Sequence, residues 1–401
     1  MTPEKYGSHV LHVGRPNQGE RAYLHSLIDS MLDRNWLTND GPLAREFEQR
    51  IAKLAGARHC VVMCNATVAM EIAIRAAGLT GEVIVPAYTF VATAHALQWQ
   101  HVTPVFCDID PITHNIDPAC IERLITPRTS GIIGVHIWGC ACDITALTAL
   151  AERHNLKLMF DAAHAFGCSY QGQPIGSFGL AEVFSFHATK FIQSGEGGAV
   201  VTNDDALADK MRLMRNFGFL GYDNVAYVGT NGKMNELAAA MGLTSLASID
   251  SFIEVNRRNY RAYKSALSDL PGVSLIEYSS SEHNNYQYVV LDIAPETCPL
   301  TRDQLVTVLH EHGVLARRYF YPGAHRMQPY RSYYPNAHLL LPVTEAVAGR
   351  VIVLPTGAAI DDDAIRRIAD VLKFAIRDAA QWAAVLPRIV PPGGDFRRVD
   401  A

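Results

Sequence analysis

A chain of 401 residues, 49% hydrophobic and 19% charged, is long enough for one large and one smaller globular domain and has the composition of an ordinary folded protein. Its 35 basic and 40 acidic residues leave a formal charge of −5, which excludes the broad basic surface that nucleic acid or an anionic membrane would require; any anionic ligand must be held locally. No window approaches the roughly 18 uncharged apolar residues of a membrane helix, and the start MTPEKYGSHV lacks the basic and apolar regions of a secretory signal, so a cytoplasmic protein without a membrane partner is expected.

Along the chain, short apolar runs alternate with helical patterns between residues 59 and 203: CVVMC, EVIVP, TPVFCDID, GIIGVHIW, KLMFDAA, EVFSFHA and GGAVVTN. Seven such runs with periodic segments between them predict a mainly parallel sheet covered by helices on both faces. DITALTALAERHN shows the helical pattern, with Asp143 as N-cap and Ile144, Leu147 and Leu150 as its apolar stripe. A helix or helix pair is predicted from Asn235 to Leu267, and it would carry the chain out of the sheet domain near residue 250. VSLIEY, NYQYVVLDI and the amphipathic RDQLVTVLHEHG then predict a smaller α/β layer. The expected division is therefore a large domain over 1–250 including an N-terminal arm, a small domain over 251–386 and a weakly ordered tail over 387–401. The eight cysteines are too sparse for a disulfide scaffold, and Cys140 and Cys142, in C-x-C spacing without a second pair nearby, give no metal site.

Three features carry chemistry. Asn65, Ala66 and Thr67 open an amphipathic helix directly after a strand, where free amides, a hydroxyl and the helix dipole suit a phosphate; alone, this is an ordinary capped helix. Neither a G-x-G-x-x-G nor a G-x-x-x-x-G-K-[ST] loop is present there. Asp161 follows the strand KLMF, at the carboxyl end where open α/β sheets gather their ligands; alone, it reads more readily as an N-cap. Lys190 closes SFHATK, where burial can hold a lysine neutral and able to condense with an aldehyde; in isolation it would be a solvated surface lysine. Together they meet the needs of pyridoxal phosphate: an amine partner for its aldehyde, a phosphate cradle, and a carboxylate that keeps the pyridine nitrogen protonated.

From LTNDGPLAREFEQRIAKLAGA (residues 37–57) through VIVPAYTFVATAHAL, PVFCDID, VHIWG, DAAHAFG, SFHATK, GEGGAVVTND and RNFGF to YFYPGAHRMQPY (residues 319–330), the chain resembles the DegT/DnrJ/EryC1/StrS family of pyridoxal-phosphate sugar aminotransferases. The resemblance implies the α/β fold type I of aspartate aminotransferase. It makes Lys190 the lysine that condenses with the cofactor and Asp161 the partner of the pyridine nitrogen. Phe90 matches the ring-stacking position, though a core phenylalanine would look the same. Ala66, Thr67 and Ser185 match the phosphate cradle, and His164 the position beside the cofactor. His187, Tyr321 and His325 become candidates for substrate contact, with a packed strand histidine as the other reading of His187. Asn231 resembles the asparagine that reaches the cofactor phosphate of the neighbouring subunit, which implies a homodimer with shared sites; Lys233 stands where the family commonly has arginine.

The family acts on nucleotide-linked keto-sugars with glutamate as donor and 2-oxoglutarate as the spent acid. Its sugar dehydratases carry histidine where this chain has Lys190, so an aminotransferase is expected. The overall resemblance leans toward amination at C4 of a dTDP-4-keto-6-deoxyhexose, with C3 amination of a 3-keto isomer as the alternative. A non-catalytic pyridoxal-phosphate sensor would carry a basic DNA-reading domain, for which residues 1–36 are too few. A desulfurase would need a cysteine in a mobile glycine-rich loop, and no such motif is evident.

Overall fold

All seven predicted strands meet in one sheet in the computed structural model, which describes residues 10–385. They are β1 (His59–Met63), β2 (Glu82–Pro86), β3 (Thr103–Cys107), β4 (Thr129–Val135), β5 (Lys157–Asp161), β6 (Ala181–Ser185) and β7 (Gly198–Thr202), in the spatial order β1-β7-β6-β5-β4-β2-β3. Only β7 runs antiparallel to its neighbours, β1 and β6. The apolar runs are continuous rather than alternating because both faces are buried. One face packs Val62, Ile84, Ile132, Phe160 and Phe184 against Phe47, Ile51, Leu243 and Leu246. The other packs Val61, Val83, Ile133, Met159 and Val183 against Ala69, Ile72, Ala94 and Leu97.

The covering helices are α1 (Pro42–Leu54), α2 (Ala66–Ala77), α3 (Ala92–Trp99), α4 (Glu236–Ala247) and α5 (Ile249–Ala266). Among the described residues no single helix is long and apolar enough to cross a membrane; α4 and α5 have the combined length but bend by 61° at their junction. Of the predicted helix or helix pair from Asn235 to Leu267 the structure has the pair, and the bend falls at Ser248, which is the C-cap of one and the N-cap of the next. The helix Ile144–Arg153 begins as its sequence predicts, with the Asp143 carboxylate accepting from the Ala146 amide at 2.9 Å.

Beyond α5, strands β8 (Val273–Leu275), β9 (Val289–Ile293) and β10 (Val351–Leu354) form an antiparallel sheet, backed by α6 (Arg302–Glu311) and α8 (Asp362–Arg377), with α7 (Pro342–Arg350) leading into β10. Tyr263 of α5 joins Leu291, Leu309 and Leu372 in that layer's core. So does Leu11: the short strand Leu11–His12 pairs in parallel with Val314–Leu315, tying the N-terminal arm to the C-terminal layer. The tail over 387–401 lies outside the described residues.

A buried carboxylate fixes the layer beneath the sheet. Glu236, fully buried at the start of α4, accepts from the amides of Leu43 at 2.9 Å and Ala44 at 2.8 Å, in the first turn of α1. α1 has no local side-chain cap, because its N-cap is Gly41, where a Cβ would overlap the Glu236 carboxylate. Glu236→Ala strands two helix donors, so thermal or urea unfolding should show a loss of about 1.5–3 kcal/mol, the range for hydrogen bonds to a charged group. An unchanged midpoint would show that water replaces the carboxylate.

Candidate active site

The carboxyl ends of β4, β5 and β6, the start of α2 and the edge of the antiparallel sheet enclose a cavity of about 380 Å³. Its position follows from strand direction in an open parallel sheet. Asp161, the last residue of β5, projects into it with both oxygens engaged. Oδ2 accepts from Thr93 Oγ1 at 2.8 Å and Oδ1 from the Ala163 amide at 3.1 Å. Thr93 Oγ1 in turn lies 3.0 Å from Thr89 Oγ1, one turn earlier. These two bonds fix the orientation of the carboxylate.

Past β6 the chain makes a tight turn, closed by the Lys190 amide on His187 O at 2.8 Å and the Ala188 amide on Gly195 O at 2.7 Å. The turn aims the Lys190 amine at the Tyr288 hydroxyl, 3.2 Å away. Burial pulls the amine down from its ordinary range to about 8, against an opposing pull from the Asp161 charge. A usable fraction is therefore neutral and nucleophilic near neutral pH. His164 is buried beside it, and burial together with the Lys190 charge holds its imidazole well below the ordinary range. Its Nδ1 accepts from the Trp138 amide at 3.3 Å, so the ring is neutral with its proton on Nε2.

At the other end of the cavity, the Asn65 side chain caps α2 by accepting from the Val68 amide at 2.9 Å. The amides of Ala66 and Thr67 open the helix with no intrahelical acceptor, and the Thr67 and Ser185 hydroxyls line the same end. Gly198 on β7 passes so close that a Cβ would overlap the Ala66 amide nitrogen, so the last glycine of GEGG keeps the strand against this turn. Amides and hydroxyls at one end, with a carboxylate and a low-pKa amine along the floor, fit a phosphorylated pyridine aldehyde in charge and donor pattern.

The remaining expected residues divide. Phe90 lines the open side, 59% exposed, with its ring 6.3 Å from that of Phe320. His187 stands at the mouth, its Nδ1 2.8 Å from Thr189 Oγ1. Three others lie outside this cavity. Tyr321 is exposed beneath the guanidinium groups of Arg302 and Arg318, 4.8 and 5.0 Å from its ring. His325 is buried against Glu345 at 2.6 Å, and Asn231 sits on the surface in a bridge to Asn216. The structure adds Thr93, Gln287, Tyr288, Arg15 and Arg317 to the lining. Of these only Thr93 had a sequence signal, its i, i+4 relation to Thr89 beside Phe90.

The model of the DegT/DnrJ/EryC1/StrS aminotransferase family matches residues 20–373. The chain belongs to that family. It is accordingly a pyridoxal-phosphate-dependent aminotransferase. It is 35% identical over 361 residues to a dTDP-4-amino-4,6-dideoxy-D-glucose transaminase of Shigella dysenteriae, covering 90% of this chain and 98% of the relative. A GDP-perosamine synthase of Caulobacter vibrioides is 37% identical over 328 residues, covering 79% and 85%. Among solved structures, DesI in the presence of its TDP-sugar product superposes with a TM-score of 0.92 at 50% identity, covering 96% of this chain and 97% of DesI.

Because Thr93 is the side-chain donor to Asp161, Thr93→Val leaves Oδ2 without its protein partner. The dissociation constant for pyridoxal phosphate should rise about tenfold, the equivalent of a hydrogen bond to a charged group. Retention of the cofactor absorbance through dialysis, equal to that of the parent, would show that Asp161 needs no such support.

Proposed function

We propose that this aminotransferase converts a nucleotide-linked 4-keto-6-deoxyhexose, with dTDP as the nucleotide, into the 4-amino-4,6-dideoxy sugar, taking the amino group from L-glutamate and releasing 2-oxoglutarate. The observation that carries the reading is the convergence of Lys190, Asp161 and the opening turn of α2 on one cavity. The sugar and ring position rest on the likeness to the Shigella dysenteriae transaminase and to DesI, which is described with a TDP-sugar product.

Pyridoxal phosphate supplies an aldehyde that takes up the amino group and a ring that accepts electrons from the reacting carbon. The chain does the rest. Lys190 Nζ would hold the cofactor through its aldehyde and, when free, would carry the proton that leaves the reacting carbon on one side and returns on the other. Asp161 keeps the pyridine nitrogen charged, and the Thr93 hydroxyl keeps Asp161 aimed. The amides of Ala66 and Thr67 with the hydroxyls of Thr67 and Ser185 would hold the phosphate, and Phe90 and His164 would flank the ring. His187 at the mouth meets the sugar. Arg15 and Arg317, which line the cavity and pair with no carboxylate among the described residues, give an anionic substrate the local positive charge that a chain of net −5 must provide.

The reading includes a homodimer with shared sites, a large domain over 1–250 and a small one over 251–386, and a cytoplasmic setting in keeping with eight unpaired cysteines. Support for the dimer lies just ahead of Asn231, where Phe217, Leu220, Tyr222, Val225 and Val228 are all exposed, an apolar surface that a second copy would cover. Asn231 would then act in a site completed across that interface.

Three experiments test this. Borohydride reduction of the holoenzyme followed by peptide mapping should place the cofactor on Lys190, and turnover with glutamate should be faster on dTDP-4-keto-6-deoxyglucose than on its 3-keto isomer and absent in Lys190→Ala. Preference for the 3-keto isomer overturns the ring position while leaving the enzyme class intact. For the shared site, mixing Lys190→Ala with an inactive Asn231→Ala protein should restore activity as subunits exchange; no recovery despite demonstrated exchange makes each site self-contained.

A further inference from the structure

We infer that Tyr288 is a positioning residue for the reaction: its hydroxyl holds the Lys190 amine in the cavity during the part of the cycle in which that amine is free. The inference rests on the reading of Lys190 as the reactive lysine. Among the described residues no carboxylate lies within ion-pair distance of Lys190 Nζ; Asp161 acts on it at longer range. The hydrogen bond recorded for Nζ goes to Tyr288 Oη at 3.2 Å, with Nζ 5.9 Å from the centre of the tyrosine ring.

The hydroxyl is itself well fixed. Tyr288 is 6% exposed, with its ring 4.4 Å from that of His164 and edge-on to Trp138 at 5.5 Å and Tyr319 at 6.2 Å. Burial pushes its pKa upward, so it remains a neutral hydroxyl. The preceding residue reinforces the hold: Gln287 Oε1 accepts from the Phe191 amide at 3.4 Å, the residue after the lysine. Gln287 and Tyr288 lead into β9, so the antiparallel sheet grips both the side chain of Lys190 and the backbone beside it.

A free lysine side chain has many rotamers and, untethered, samples positions from which it cannot reach the reacting carbon. An amine that donates to Oη keeps its lone pair free to accept a proton. After accepting one, the ammonium still has the same oxygen as acceptor. The tyrosine keeps its own proton throughout, and the transferred proton resides on Nζ. The hydroxyl thus serves both protonation states without taking part in bond making.

Tyr288→Phe removes Oη while preserving the ring and its packing. Acetic anhydride labelling of Lys190 in the cofactor-free protein, followed against pH by peptide mass spectrometry, reads the amine directly, with Asp161, His164 and Tyr319 as the other titratable groups facing it. The parent should label with a midpoint near pH 8, and the variant about half a unit lower, since its ammonium has lost an acceptor. In the holoenzyme, kcat should fall about tenfold with KM for the keto-sugar within about twofold, the signature of lost positioning rather than lost binding. A folded Tyr288→Phe whose labelling midpoint and kcat both equal those of the parent overturns the inference. Reduction of the parent holoenzyme separates this from the underlying reading: if the cofactor marks a lysine other than Lys190, that reading falls before Tyr288 is altered.

Discussion

The site depends on one electrostatic balance, the burial of the Lys190 amine against the pull of the Asp161 charge. Burial alone would drive the amine to permanent neutrality, and a close ion pair would lock it as an ammonium; the structure does neither. The balance has a consequence for the fold. With a folded value near 8 and an ordinary value of 10.5, the unfolded chain binds more protons than the native one between those two pH values. This lysine therefore penalises the native state most at pH 8 and below, and the penalty shrinks as pH rises toward 10.5. A site that keeps its nucleophile available at neutral pH is destabilising on its own account, and the surrounding packing must offset it.

Much of that offset is organised by buried carboxylates that cap distant backbone. Glu236 caps α1 across 193 residues of sequence. Asp108, just past β3, does the same for α7, accepting from the amides of Val343 at 3.0 Å and Thr344 at 2.7 Å and from the Thr344 hydroxyl at 2.7 Å. Both helices begin with proline and have no local side-chain cap, so the first orphan donors are left for a partner elsewhere in the fold. Glu182 on β6 does the same for nearby backbone, taking the amides of Gly176 and Phe178, six and four residues earlier, at 2.8 Å each. Such contacts make the sheet, its covering helices and the antiparallel layer mutually dependent, and they hold the strand ends to the tolerance that an amine and a carboxylate in one cavity require.

What could be read in the sequence was local. The apolar runs gave seven strands because burial on both faces leaves no alternation to confuse them, and Asp143 and Asn65 announced their helices because a cap lies within three residues of the amide that donates to it. Asp161 and Lys190 were legible because both follow strands at the end where an open sheet binds its ligand. Tyr288 was not, since it meets Lys190 from 98 residues away and carries no distinguishing neighbours, while Thr93, 68 residues from Asp161, had only its spacing from Thr89 to mark it. The pairing of Leu11 with Val314 was hidden for the same reason, and a two-residue strand has no period. Tyr321 and His325 show the converse: a motif places them near the site along the chain, while Arg302, Arg318 and Glu345 hold them outside the cavity.

The lysine turn is where three remote parts of the chain meet. Asn17, from the N-terminal arm, donates through Nδ2 to Phe191 O at 3.2 Å and accepts through Oδ1 from the Ala358 amide at 3.0 Å, while Gln193 Nε2 donates to Asn17 O at 3.2 Å. Gln287 takes the Phe191 amide from the antiparallel sheet. The Lys190 turn is therefore gripped by the arm on one side and the C-terminal layer on the other, and the arm is itself a strand of that layer. None of these bonds is local, so each forms only after long loops have closed. The geometry of the Lys190 turn therefore depends on contacts from both the arm and the C-terminal layer.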